Sequence, residues 1–268
     1  MSDPVFQPEE HAAENATRSG ELSNQRPFDI VTLPSKGLLY TEGPLKGKEE
    51  LEVYYLTAKE EDILTAPNLL RSGRVMDHLL RSVLVDRSIN PEDLYLGDRN
   101  AILVWLRSTG YGAEYPVDIS CRFCNSTFEH EFDLSELDIR FLEKEPDEEG
   151  LFYLPVTKKT VRVRFLTVAD DYAVDKLVEQ RAKKTGGSGN PMTAKLMAHV
   201  RDVEGLEPDA RKNFIESLPV RDSKAIRSFI SKYEPSIVMR QDAKCKSCGE
   251  LNEEVVIPIT QRFFWPEP

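Results

Sequence analysis

Cys121-Arg-Phe-Cys124 and Cys245-Lys-Ser-Cys248 hold all four cysteines of the chain, in two identical spacings. Each pair stands in the same setting. Tyr115 to Ser120 reads as a strand leading in, Asn125-Ser126 as a polar turn, and Thr127 to Leu134 as a strand leading out. The second pair is followed by Gly249-Glu250 and a strand over Glu253 to Ile259. Two thiolates on a tight turn between strands make half of a tetrahedral site, and two such knuckles make a whole one. Cys121, Cys124, Cys245 and Cys248 are therefore expected to hold a structural Zn2+. Four cysteines fill the site, whereas a catalytic zinc keeps an open position and draws on His or carboxylate, so no metal chemistry is expected. A redox pair and local disulfides are the other readings. A thioredoxin-like CxxC opens a helix in a βαβ unit, and neither pair does. Disulfides belong to oxidising compartments. His130 is a candidate stray ligand that reads better as an exposed strand residue.

Between Cys124 and Cys245 lie 120 residues, against roughly 15–20 in common zinc motifs. An internal duplication accounts for the gap. Leu51-Glu-Val-Tyr-Tyr-Leu-Thr-Ala-Lys-Glu-Glu61 and Val161-Arg-Val-Arg-Phe-Leu-Thr-Val-Ala-Asp-Asp171 are each an alternating strand, then Leu-Thr, then an acidic helix start. Thr57 with Glu60 forms a capping box, and that helix should stop before Pro67. A second helix is expected over roughly 74–86, and a third from Gly97-Asp98 to Gly110 and Gly112. Met192 to Val200 and Asp222 to Tyr233 match the second and third. Asp98 and Asp222 each lie 23 residues before the first cysteine of their pair. Lys183-Lys-Thr-Gly-Gly-Ser-Gly-Asn-Pro191 reads as an inserted flexible loop. The expected fold class is α+β, with duplicated strand-helix-helix-helix-strand-CxxC-strand halves joined by a zinc-ribbon-like four-cysteine site. The expected layout is a disordered acidic leader (1–26), a first half (27–145), a second half (146–262) and an aromatic tail (263–268).

The 268 residues carry 35 Lys and Arg against 46 Asp and Glu, a net charge of −11. That balance argues against a protein whose main task is coating nucleic acid. No apolar run approaches the roughly 20 residues that span a bilayer, and Met1 to Gln25 has no signal-peptide pattern. A cytosolic location is expected. Nucleotide-loop and nucleophile-elbow motifs are missing. His11, His78, His130 and His199 read as solvated or packed. Glu60-Glu-Asp62 and Asp170-Asp171 sit in first helical turns, where they complement the dipole. Lys158, Lys159, Arg162, Arg164, Lys183 and Lys184 form a basic cluster, with Arg162 and Arg164 on one strand face. Phe263, Phe264 and Trp265 either fold back on the core or dock into a partner, and are carried as candidate docking residues.

Leu33-Pro-Ser-Lys-Gly-Leu-Leu-Tyr40, Leu56-Thr-Ala-Lys-Glu-Glu-Asp-Ile-Leu64, Leu69-Leu70, Gly97-Asp-Arg-Asn-Ala-Ile-Leu103, Tyr111-Gly-Ala-Glu-Tyr115, the CxxC and Phe263-Phe-Trp-Pro266 together resemble the baseplate proteins of T-even-type contractile-tailed bacteriophages. The likeness runs over roughly residues 28 to 266. It implies a non-enzymatic structural or assembly (chaperone) role at the baseplate hub, with other hub or tail proteins as partners. It implies a place in the host cytoplasm during assembly and in the virion tail baseplate. It transfers no catalytic residue. The alternative is a nucleic-acid-binding zinc-ribbon module, which the metal site fits and the charge opposes. An enzyme with a structural zinc is the third reading, and no motif supports it.

Overall fold

A computed structural model describes residues 26–143, 151–259 and 261–264. Apart from Arg26, the expected leader lies outside them. The chain opens with an antiparallel pair, β1 (Phe28–Thr32) on β2 (Glu50–Tyr54), in register from Phe28↔Tyr54 to Thr32↔Glu50. Alternation puts Val31, Leu51 and Val53 inward. Thr57 then caps α1 (Ala58–Thr65) through the expected box with Glu60. Glu60 is buried and also accepts from Arg26 at 2.5 Å and from the Ser82 hydroxyl. Burial works against its charge, but the Ser82 and Thr57 hydrogen bonds and Arg26 hold its carboxyl below the usual range. A short helix absent from the sequence reading, α2 (Pro67–Ser72), follows; Pro67 suits its first turn and Gly73, left-handed at φ 69°, ends it. Helix α3 (Val75–Val83) buries Val75, Leu79, Leu80 and Val83 on one face.

Helix α4 (Leu96–Tyr111) is the centre of the molecule. Ala101 through Leu106 are all buried, so its apolar residues run around the helix rather than along a stripe. Each large one contributes about 1.5–3 kcal/mol of burial. Two hairpins carry the cysteines at their tips: β3 (Glu114–Ser120) with β4 (Thr127–Asp133), and β10 (Arg240–Lys244) with β11 (Leu251–Val256). β11 ends earlier than the expected Ile259, ahead of Pro258, which lacks the amide a ladder needs.

The later chain forms a three-stranded antiparallel sheet ordered β6 (Leu151–Tyr153), β7 (Thr160–Val163), β8 (Val200–Val203). It also forms α5 (Val168–Thr185), α6 (Pro191–His199), α7 (Pro208–Glu216) and α8 (Val220–Tyr233). The basic part of the expected loop is helical: Lys183 and Lys184 lie in the last turn of α5, where they complement the dipole. Of the rest only Gly189 is packed, where a Cβ would overlap the Val178 carbonyl; Gly186, Gly187, Ser188, Asn190 and Pro191 are exposed. Arg164 lies past the end of β7 and pairs with Asp170 at 2.8 Å, so it does not share an open strand face with Arg162.

The packing cuts across a division at 145/146. The large core around α4 takes in Ile237, Ala243, Cys245, Ile257, Phe263 and Phe264 from the late chain. A smaller core holds Leu154, Val161, Leu196, Val203, Ile226 and Ile230. The two meet through several contacts. β5 (Ile139–Arg140) pairs with β9 (Ser236–Ile237). Leu96 N–H donates to Leu166 O at 3.1 Å and Val168 N–H to Leu94 O at 2.9 Å. Tyr172 donates to Asp77 at 2.6 Å beneath the Arg74 guanidinium. Gly97 lies so close to Pro235 that a Cβ would overlap the Pro235 carbonyl.

Two buried aspartates hold two turns. Asp98 accepts the Ser35 N–H at 2.9 Å, the Ser35 hydroxyl at 2.6 Å and the Tyr40 hydroxyl at 2.7 Å. Asp222 accepts the N–H of Val156 at 2.7 Å and of Thr157 at 2.9 Å. Both turns begin Leu-Pro, and each carries a left-handed lysine, Lys36 (φ 50°) or Lys158 (φ 58°).

Candidate metal centre

The two hairpin tips bring the four cysteine sulfurs within 4.8 Å of one another. Two close approaches cross between tips: Cys121 to Cys248 at 3.7 Å and Cys124 to Cys245 at 3.8 Å. A tetrahedron with metal–sulfur bonds of about 2.3 Å has edges of about 3.8 Å. All four are free cysteines, and each tip lies between strands rather than at a helix start.

Each tip is closed by the same backbone bonds. Cys121 N–H donates to Ser126 O at 2.9 Å and Asn125 N–H to Cys121 O at 3.0 Å; Cys245 N–H donates to Glu250 O and Gly249 N–H to Cys245 O, both at 2.9 Å. The turn needs a left-handed residue, supplied by Asn125 (φ 57°) and Gly249 (φ 77°). These are the residue types that adopt that conformation at least cost.

Cys121 and Cys245 are buried, Cys124 and Cys248 exposed. The Cys248 N–H, with the Ser126 hydroxyl, outweighs burial and brings the Cys245 thiol down to about 6. Burial raises Cys121, but the N–H groups of Cys124 and Phe123 outweigh it and lower its pKa. The Glu250 N–H opposes it, yet burial and the crowding sulfurs push Cys248 up to about 12. The pocket thus favours thiolate at its buried members, and a bound cation would displace the remaining protons.

Asn252 was not singled out by the sequence. It is buried, its amide nitrogen lies 3.6 Å from Cys121 Sγ and 3.3 Å from Ala243 O, and its oxygen accepts the Arg122 N–H at 2.9 Å. A polar residue at an inward position of a strand was its only signal. His130 is half-buried against the Phe132 ring and stands outside the sulfur cluster. His199 has Nδ1 3.0 Å from Arg164 O, and burial lowers its pKa. Phe263 and Phe264 are buried; Phe263 meets the Tyr115 ring edge-on at 5.1 Å. As placed they are core side chains rather than exposed anchors, because the large core offers them apolar walls. Trp265 lies outside the described residues.

Among the described residues no helix is long and apolar enough to cross a membrane. No match was found among curated proteins or among solved structures. The family described as T4 bacteriophage base plate protein matches residues 33–265, a span that includes both cysteine pairs, Asp98, Asp222 and the Phe263-Phe264 pair. The chain belongs to this T4-type phage baseplate family.

Proposed function

We propose that the protein is a non-enzymatic component of the baseplate hub, either a structural subunit or an assembly factor, whose two related halves are stapled by one structural zinc ion. The family match over 33–265 carries the baseplate reading. Its partners are then other hub or tail proteins, met in the host cytoplasm during assembly. Zinc is supported by the donor set and its tetrahedral spacing. Thiolates select soft or borderline cations, and a closed four-cysteine site is structural. Asn252, Ser126 and the tip amides would orient the sulfurs around it.

Internal duplication is supported by four repeated features. Each half has a Leu-Pro turn between paired strands, a Thr-capped helix after the second strand, a buried aspartate at the start of the helix preceding the knuckle, and a CxxC hairpin. Exposed Arg122, Phe123 and Lys246 at the tips favour the nucleic-acid alternative. The hairpin stems beneath them expose Glu114, Asp118, Glu129 and Glu131, which oppose it.

Quantitative mass spectrometry of gradient-purified tails and finished particles tests the hub reading. Fixed stoichiometry makes the protein a structural subunit, and presence only in intermediates makes it an assembly factor. Absence from both overturns the proposal. Elemental analysis tests the staple: one zinc per chain is expected. For the alternative, retardation of nucleic acid at low salt that fades as salt rises is the required result.

A further inference from the structure

Helix α8 carries its cations on the side away from the core. Val220, Lys224, Arg227 and Ser231 recur at helical spacing, on another face from the buried Asp222, Ile226 and Ile230. Lys224, Arg227 and Lys232 are exposed and line a shallow depression with Ser228 and Ser231. None of the three cations forms an ion pair among the described residues. Arg221 is exposed on the same helix, and Arg140, whose Nη1 donates to Ser231 O at 2.6 Å, adds charge of the same sign.

The nearest acids in the chain are engaged elsewhere. Asp222 is buried on the Val156 and Thr157 N–H groups. Glu234, at the end of the helix, is half-buried and interacts with Arg140, Asp171 and Lys195. Glu216, ahead of the helix, lies 3.9 Å from Arg181. The face is therefore of one sign, with Val220 as an apolar group 79% exposed at its start.

We propose that this α8 face is the docking surface for the chain's own acidic segment 1–25. That segment carries Asp3, Glu9, Glu10, Glu14 and Glu21 against the single Arg18, and adds Val5, Phe6 and Leu22 as apolar groups. It joins the fold at Arg26, which donates to the Tyr55 carbonyl at 2.7 Å and to Glu60. A chain of 25 residues spans up to about 80–90 Å when extended. A folded chain of this length is only about 50 Å across, so the segment reaches α8 from Arg26. The tether sets its effective concentration in the millimolar range, which lets a modest charge-driven contact fill the face ahead of an untethered competitor. A partner that needs the face has to displace the segment first. The contact requires neither the zinc site nor the hub.

The test uses full-length chains and a labelled peptide of residues 1–25, read by fluorescence anisotropy at about 50 mM salt. A vacated variant neutralises the segment's acids: Asp3→Asn, Glu9→Gln, Glu10→Gln, Glu14→Gln and Glu21→Gln. A reversed variant adds Lys224→Glu, Arg227→Glu and Lys232→Glu, all at exposed positions, and circular dichroism checks that both fold. The vacated variant is expected to bind the peptide, and to do so at least about tenfold more weakly at about 0.5 M salt, where screening is strong. Wild type, whose face is already filled, is expected to bind it at least about tenfold more weakly than the vacated variant. The reversed variant is expected not to bind it. A vacated variant that leaves the peptide free overturns the proposal, as it would if the acidic stretch Glu145 to Glu149 held the face. Equal binding by wild type and the vacated variant, or undiminished binding by the reversed variant, overturns it too. Sedimentation is expected to give wild type and the vacated variant the same mass; a larger wild type would put the segment on another copy and overturn docking within one chain.

Discussion

Helices α4 and α8 hold the same station, each starting with a buried aspartate 23 residues before its knuckle, yet they live in opposite surroundings. α4 is covered by β1, β9 and the 3-10 turns Leu134–Glu136 and Gln261–Phe264, and its residues from Ala101 to Arg107 are all buried. α8 buries Asp222, Ile226 and Ile230 and leaves a basic face in water. The difference lies in what the rest of the chain lays over each helix: α4 is enclosed like a keel and α8 is left as a flank. The sequences agree with their surroundings: α4 carries Leu103 and Val104 where α8 carries Arg227 and Ser228.

The largest perturbation should fall on the four-cysteine cluster, which joins the two hairpins that pack on the α4 core. Cys121→Ser, or a zinc chelator at neutral pH, should remove stability on the order of 5 kcal/mol or more. An unchanged melting curve would show that the two hairpins hold together without the metal. Next comes the cover over α4: Phe263→Ala should cost about 3–5 kcal/mol, while Tyr233→Ala on α8 should cost less than about 1 kcal/mol because that ring is half in water. Equal losses in denaturant melts would erase the contrast.

Gly97→Ala should cost about 3 kcal/mol, since the obstacle is a backbone carbonyl that cannot swing away. The corresponding Arg221→Ala should stay within about 0.5 kcal/mol. Finally, the two aspartates should respond oppositely to acid. Burial acts against Asp222's charge, but the Thr157 and Val156 N–H groups outweigh it and lower its pKa. Its stabilisation is therefore complete above the unfolded value of about 3.9 and is lost as pH falls through the lowered folded value. Burial raises the pKa of Asp98, against the pull of Ser35 and Tyr40. The folded state there prefers the proton, so this contribution weakens as pH rises through the raised value. Asp222→Asn should cost about 1–2 kcal/mol at pH 7 and flatten the acid limb of stability. Asp98→Asn should leave that limb as steep as in wild type.

The four-cysteine cluster was readable because CxxC and its flanking alternation are local patterns. The capping box at Thr57, the acidic helix start after Thr167 and the main helices are local too. What escaped was set by distant partners. Asp98 and Asp222 stood out only as spacers, because the turns they hold lie 63 and 66 residues away. Helix α7 buries only Ile215 and so shows almost no stripe, and β8 is four residues long. The aromatic triplet was ambiguous because composition says only that such rings need cover, not whose.

Phe263 and Phe264 also impose an order in time. They complete the core around Leu103, yet the ribosome adds them 160 residues later, a delay of about 10–30 s at ordinary synthesis rates. During that interval the central helix has no lid and its apolar girth stays open to chaperones. A chain that stalls short of Phe263 would carry both cysteine pairs and still display an unfinished interior. Completed packing around α4 therefore requires that synthesis has passed Phe264.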